Sequence, residues 1–138
     1  MSAATYFEDV VVDEVKFTPA VTVTEAHVEM YQGLTREMSA TPSHVPDVLP
    51  LCLVVGLGWR VKEPPMAVQA FVALDWKVVK ELRVGDTMHS RSRIISKRPM
   101  RDGGLIVDER TILDQHGAVV QQGRFTFLVA RRQKETSA

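Results

Sequence analysis

The stretch LDWKVVKELRVGDTMH, residues 74–89, decides the fold. A strand-like run leads into Val84-Gly85-Asp86-Thr87, and a second strand-like run follows it. Asp86 directly after Gly85 is typical of a turn that joins two strands. Working outward from this turn, the pattern of apolar and polar residues predicts strands over 67–79 and 87–98.

The C-terminal part of the chain continues this strand pattern. Apolar residues predict a strand over 105–113, a hairpin turn over 114–117 and a fourth strand over 118–131. The apolar residues of that last strand share one face, and Arg124 and Thr126 lie on the other. Those apolar residues are Val119, Phe125, Phe127 and Val129. The polar tail from about residue 132 predicts a frayed end.

Before these strands, the pattern predicts one short strand and one helix. A strand over 16–24 contains Pro19, which is tolerated only in an edge strand or at the start of a strand. Thr24 can cap the next helix, because its hydroxyl can accept from a backbone N–H that the helix leaves unpaired. Apolar residues at helical spacing place that helix over 25–37.

A second predicted helix, over 47–59, carries the strongest packing signal. The preceding loop, 39–47, contains Pro42 and Pro46, and Asp47 can cap the helix. The helix is apolar all round, so we expect it to be buried on every side. Cys52 lies within it and is interpreted as a small buried hydrophobe.

Together these elements predict an α+β fold in which an antiparallel sheet covers a helix. The 138 residues suit a single domain over 1–138, with 45% hydrophobic and 25% charged residues. One cysteine excludes an internal disulfide and fits a reducing compartment. No signal peptide is visible, so a cytoplasmic location is expected.

The charge balance excludes some classes of partner. Lys plus Arg (17) equals Asp plus Glu (17), so neither nucleic acid nor an anionic membrane is predicted as a partner. One basic cluster can be the solvated face of a strand or a phosphate-binding patch. It comprises Arg91, Arg93, Lys97, Arg98 and Arg101. No histidines or cysteines show metal-ligand spacing, so neither a metal nor another cofactor is predicted.

Several segments, in order, resemble MaoC-like hydratases and dehydratases, which are hotdog-fold proteins that act on acyl thioesters. The 74–89 stretch resembles part of their sheet, and Tyr6-Phe7-Glu8-Asp9 resembles their start. Thr24-Glu25-Ala26 resembles the start of a helix, and Gln115-His116-Gly117-Ala118-Val119-Val120 resembles a hairpin near their end. The resemblance implies the hotdog fold, with the sheet wrapped around a central buried helix.

The catalytic segment departs from the family pattern. Where these proteins carry Asp-x-Asn-Pro-x-His, this chain reads Ser39-Ala40-Thr41-Pro42-Ser43-His44. The resemblance implies that His44 is the main acid/base, with Ser39 at the position of the aspartate. A serine hydroxyl can hold water but cannot take its proton at neutral pH. Asp47 can orient His44 or replace the missing carboxylate, and alternatively it only caps the helix, with His44 an ordinary loop residue.

Three functions follow from the resemblance. The first is a lyase, a hydratase or dehydratase acting on an acyl-CoA or acyl-carrier-protein thioester with an incomplete Asp/His dyad. The second is a non-catalytic hotdog subunit or acyl-thioester-binding protein. The third is a hotdog thioesterase or repurposed cyclase. Hotdog subunits usually pair edge to edge, so we expect a homodimer or, alternatively, a hetero-oligomer with another hotdog subunit.

Overall fold

A computed structural model describes residues 4–39 and 41–132. Two helices precede the long strands: α1 spans Glu25–Thr35 and α2 spans Leu49–Leu57, followed by a 3₁₀ turn over Gly58–Arg60. The strands are β1 (Val15–Phe17), β2 (Val21–Thr22), β3 (Val68–Val78), β4 (Thr87–Met100), β5 (Gly103–Leu113) and β6 (Val119–Val129). A further 3₁₀ turn, Phe7–Asp9, comes before β1. The predicted frayed tail lies mostly outside the described residues.

The strands form one antiparallel sheet in the order β1-β4-β5-β6-β3, and β2 pairs with β4 beside β1. The four long strands confirm the predictions over 67–79, 87–98, 105–113 and 118–131. The predicted hairpin is also present, because Asp114 N–H donates to the Ala118 carbonyl at 2.9 Å. This α+β arrangement, with α2 packed against the sheet, is the predicted fold class.

The single strand predicted over 16–24 is wrong, because two short strands replace it. β1 ends at Phe17 and β2 starts at Val21, with Pro19 between them. Proline has no N–H to donate to a neighbouring strand, so the ladder to β4 is interrupted there. Thr24 caps α1 as predicted, and its hydroxyl accepts from the His27 N–H at 3.4 Å.

The core lies between α2 and the sheet. Leu49, Val54 and Leu57 of α2 are buried against inward-facing strand residues. The most deeply buried of these strand residues are Met88, Ile106, Ile112, Val120, Phe125 and Val129. On β6 the prediction holds for Phe125, Phe127 and Val129, while Val119 is only half-buried.

Three predictions about α2 are wrong for the single chain. The helix is not buried on every side, because Val55 is 42% exposed. Cys52 is exposed rather than buried. Asp47 does not cap the helix, since the N-cap is Val48 and no side chain caps it. The physical reason for the exposure is that the sheet covers only part of the surface of α2, and the described residues leave Cys52 and part of Val55 uncovered.

β3 is an edge strand with an open side. It pairs only with β6 among the described strands, and all its residues except Trp76 are exposed. Opposite Trp76 on β6, Gly123 permits a close approach, because a Cβ there would lie 1.9 Å from the Asp75 carbonyl oxygen. No helix in the described part of the chain is long and apolar enough to cross a membrane.

Candidate functional site

The first candidate region is the loop that precedes α2. Contacts on both sides hold the loop in place: Val84 N–H donates to the Ser43 carbonyl at 3.1 Å, and His44 forms an isolated antiparallel bridge with Arg83. The side chain of Gln121 on β6 donates to the Asp47 carbonyl at 2.8 Å. These contacts position His44 beside the segment that follows β3.

A carboxylate partner orients the His44 imidazole. His44 Nδ1 lies 3.2 Å from Oε1 of Glu81. Both side chains reach solvent, at 31% and 47% exposure. A carboxylate at Nδ1 fixes the proton on that nitrogen, so Nε2 is left as the proton acceptor. The arrangement can therefore provide a solvent-accessible general base.

The structure does not join Ser39 or Asp47 to this pair. The Ser39 hydroxyl donates to the Thr41 carbonyl at 3.3 Å and accepts from the Thr41 N–H at 3.2 Å. Asp47 is exposed, and its carbonyl accepts from Gln121. Within residues 4–39 and 41–132, no hydrogen bond links Ser39 or Asp47 to His44. Their catalytic roles remain predictions.

Sequence reasoning missed Glu81. It lies in the fold-deciding stretch, 37 positions beyond His44. No local spacing joins the two residues, since the bridge between His44 and Arg83 brings them together. The carboxylate beside His44 therefore comes from the segment after β3, whereas the family pattern places one five residues before the histidine.

The second candidate region is an apolar cavity of about 300 Å³ between the C-terminal end of α2 and the sheet. Its apolar walls include Val55, Trp59, Met66, Phe71, Phe125 and Phe127. Asp108 and Arg110 of β5 also line it, beside Ser90 and Ser92 of β4. Ligand sites in proteins combine mostly apolar walls with a few polar groups in this way.

Asp108 and Arg110 form a buried ion pair in this cavity. Arg110 Nε donates to Asp108 Oδ2 at 2.9 Å. The Arg110 side chain is 14% exposed and the Asp108 side chain 3%. In the described part of the chain, Asp108 Oδ1 is the one buried side-chain polar atom without a hydrogen-bond partner. Burial raises the pKa of Asp108, while Arg110 and the neighbouring Ser92 hydroxyl act in the opposite direction.

The pair is held by packing on both sides. The Arg110 guanidinium carbon lies 4.3 Å from the centre of the Phe125 ring. On the helix side, a Cβ added to Gly58 would lie 3.8 Å from Arg110 Nη1. The sequence contains a signal for this pair, because strand alternation puts Ile106, Asp108, Arg110 and Ile112 on one face. Two charged residues on a face shared with two fully buried isoleucines indicate an interior polar site.

The basic cluster, of which all members but Arg101 lie on β4, is partly engaged in structural contacts. Arg93 lies 3.0 Å from Asp13 and 3.6 Å from Glu109, while Lys97 donates to the carbonyls of Phe7 and Val10. These contacts favour the strand-face interpretation over a phosphate-binding patch. Among the described residues, no three His, Cys, Asp or Glu side chains group as metal ligands would.

Solved structures with a similar fold were found over almost the whole chain. A monoamine oxidase regulatory protein from Archaeoglobus fulgidus matches with TM-score 0.85 and 19% identity, covering 94% of this chain and 97% of that chain. A MaoC-like dehydratase from Rhodospirillum rubrum matches with TM-score 0.78 and 16% identity, covering 95% and 100%. A Mycobacterium tuberculosis protein with a double hotdog fold matches with TM-score 0.79 and 16% identity, covering 100% of this chain and 48% of that one.

At these identities the likeness establishes the fold. No protein-family model matches the chain, and no curated protein matches it. The predicted resemblance is nevertheless confirmed at the level of structure, because the similar structures include MaoC-like dehydratases and (R)-hydratases. The chain therefore has the hotdog fold that these proteins share.

Proposed function

We propose that this protein is a hydratase or dehydratase of acyl thioesters, carried on coenzyme A or an acyl carrier protein, with His44 as the acid/base. The observation that carries the proposal is the 3.2 Å pair between His44, in the loop before α2, and Glu81, in the segment after β3. Similarity to a MaoC-like dehydratase supports the reaction class. Glu81 would supply the orienting carboxylate that the motif position, Ser39, lacks.

The proposed chemistry is water addition across an enoyl thioester. His44 Nε2 takes a proton from water as the water oxygen bonds to the β-carbon, and the imidazolium then donates that proton to the α-carbon, which regenerates neutral His44. Dehydration is the reverse. Glu81 stabilises the imidazolium formed on the way, and the Ser39 hydroxyl assists by holding the water. Asp47 is the alternative carboxylate.

The N-terminal end of α2 would polarise the thioester carbonyl. Leu49 and Cys52 already donate their N–H groups to the carbonyls of Pro46 and Val48, and Pro50 has none. Leu51 N–H has no acceptor among the described residues, so it is the donor we assign to the thioester oxygen. The acyl chain would then run along α2 toward the apolar cavity at its other end.

The test is hydration of crotonyl-CoA and longer enoyl-CoA thioesters by matched variants. His44→Ala should lower kcat/KM by about a hundred- to ten-thousandfold, the usual contribution of a general acid/base. Glu81→Gln should lower it less, and Ser39→Asp should raise it. His116→Ala is the control, because His116 is exposed in the hairpin before β6 and should leave activity unchanged. Full activity of His44→Ala would overturn the assignment.

A second candidate function is a non-catalytic subunit that binds the acyl thioester. The observation that favours it is Ser39 at the aspartate position, with its hydroxyl already bonded to Thr41. Binding of an acyl thioester without turnover, and turnover on adding another hotdog subunit, would establish it. A hotdog thioesterase is the weaker alternative, because the nine residues of α2 contain no carboxylate. Release of free thiol would identify that activity.

For the assembly, we propose a homodimer joined through β3. The open strand presents Val68, Phe71, Val72, Leu74 and Val78, each 44–53% exposed. An unpaired apolar edge is an association surface. The double hotdog protein, in which one chain carries two such folds, supports pairing of hotdog units. Sedimentation that gives a monomer at micromolar concentration would overturn the dimer, and a stable complex with a second hotdog subunit would favour the hetero-oligomer.

A further inference from the structure

The Asp108–Arg110 pair has unused hydrogen-bonding capacity on both partners. Asp108 Oδ1 is buried and has no partner in the described part of the chain. Arg110 uses Nε for Asp108, and its Nη atoms have no hydrogen-bond acceptor among the described residues. A guanidinium carries five N–H donors, so several remain available beside the cavity. The pair therefore offers one acceptor and further donors within a cavity whose walls are mainly apolar.

We infer that Asp108 and Arg110 form a recognition site for a hydroxyl group carried by an otherwise apolar ligand. A hydroxyl donates to Asp108 Oδ1 and accepts from an Arg110 Nη atom at the same time. A buried acceptor left without a donor is costly, so a ligand that supplies one is favoured. The walls formed by Phe71, Phe125, Phe127 and Trp59 hold the apolar part.

The charges of the pair discriminate against ionic head groups. Asp108 and Arg110 already neutralise each other at 2.9 Å, and Lys16 and Glu14, the other two charged residues that line the cavity, lie 4.0 Å apart. A ligand carboxylate therefore meets a carboxylate of each pair, and a ligand ammonium meets a cation of each pair. Either ion would also lose its hydration in a cavity lined mainly by apolar atoms. A neutral hydroxyl carries neither penalty. Under the proposed function, on which this identification of the natural ligand rests, the substrate is an acyl thioester with a hydroxyl far from the thioester.

Four probes with a common phenethyl skeleton test the site directly. They are 2-phenylethanol, propylbenzene, 2-phenylethylammonium and 3-phenylpropionate, titrated into the intact protein by calorimetry. We expect 2-phenylethanol to bind about tenfold or more tightly than each of the others, because hydrogen bonds to charged partners are strong. Equal binding of propylbenzene, or tightest binding of an ion, would overturn the inference.

Two variants assign the preference to the pair. Asp108→Leu combined with Arg110→Met removes both charged side chains of the pair. The affinity ratio of 2-phenylethanol to propylbenzene should then fall to about one, since neither partner of the hydroxyl remains. Asp108→Asn, which keeps the shape of the side chain, should weaken the preference for 2-phenylethanol. Glu81→Gln, at the other end of α2, should leave it unchanged. An undiminished preference in the folded double variant would overturn the inference.

Turnover separates this inference from the proposed function. If both hold, 8-hydroxyoct-2-enoyl-CoA should have a higher kcat/KM than oct-2-enoyl-CoA, and the double variant should lose the difference. Failure to hydrate either thioester while 2-phenylethanol still binds selectively would reject the proposed function and keep the site. Equal kcat/KM values with selective alcohol binding would reject the hydroxyacyl substrate alone.

Discussion

The two ends of α2 carry the same kind of pair in opposite surroundings. Before the helix, His44 and Glu81 lie 3.2 Å apart with side chains 31% and 47% exposed. Beyond it, Arg110 and Asp108 lie 2.9 Å apart with side chains 14% and 3% exposed. The helix between them has nine residues, about 13 Å at 1.5 Å per residue.

This difference in exposure separates two uses of a carboxylate. Water reaches both His44 and Glu81 and screens their attraction, so the pair contributes little to stability. The buried Arg110–Asp108 pair is costly to break, because removal of one partner leaves the other as a desolvated, unpaired charge. The exposed pair is therefore suited to proton transfer, and the buried pair to a fixed role in binding.

The largest predicted effect on stability is at the buried end. Asp108→Ala should lower the free energy of unfolding by about 3 kcal/mol, at the low end of the ~3–5 kcal/mol typical of a broken buried pair. Arg110 would then be left without its carboxylate, although 14% of its side chain still reaches solvent. Urea unfolding followed by circular dichroism measures the change.

The control for that prediction replaces both partners. Asp108→Leu combined with Arg110→Met should recover most of the loss, because no buried charge is left unpaired. A loss below about 1 kcal/mol for Asp108→Ala would show that the pair behaves like a surface pair. The comparison between the two ends of α2 would then fail.

An intermediate effect is expected at Lys80–Asp114, where one partner is buried and the other is not. The side chains are 49% and 2% exposed, and the Lys80 bond together with the Ala118 and His116 N–H groups lowers the pKa of Asp114 to about 2. Because this folded-state pKa lies below the usual 3.8, the ionised form stabilises the fold above about pH 4 and loses that effect as pH falls toward 2. Asp114→Asn should lower the thermal midpoint at pH 7.

The pH dependence is the discriminating measurement for Asp114. The difference in thermal midpoint between wild type and Asp114→Asn should shrink as pH falls from about 4 toward 2. Asp13→Asn is a matched control, because Asp13 is an exposed partner of Arg93. A difference that stays constant over this range would contradict the lowered pKa.

The smallest effect is expected at the exposed end. Glu81→Gln should change the free energy of unfolding by about 0–1 kcal/mol, as for other surface pairs. In 1 M NaCl, where the Debye length is about 3 Å, the change should approach zero, whereas that of Asp108→Ala should persist. A Glu81→Gln loss as large as that of Asp108→Ala would remove the distinction between the ends.

The sheet could be predicted because its signals are local. Alternation, the Gly85-Asp86 turn and the 114–117 hairpin each occupy a few adjacent residues, and β3 to β6 follow them closely. The predictions that are wrong concern burial, which depends on tertiary packing. An all-apolar helix indicates burial, but how many of its faces are covered depends on what packs around it, so Val55 and Cys52 were misjudged.

The sequence by itself therefore determined the order of the two helices and the four long strands, the inward face of β6 at Phe125, Phe127 and Val129, and the position of His44 before a helix. These properties follow from backbone periodicity and turn chemistry, which act over a few residues. Only the tertiary structure decided which charged side chains meet. Glu81, 37 residues after His44, is brought to it by the bridge between His44 and Arg83, and Asp108 and Arg110 line the cavity between α2 and the sheet. Contacts of this kind depend on how distant segments pack, and local spacing does not specify them.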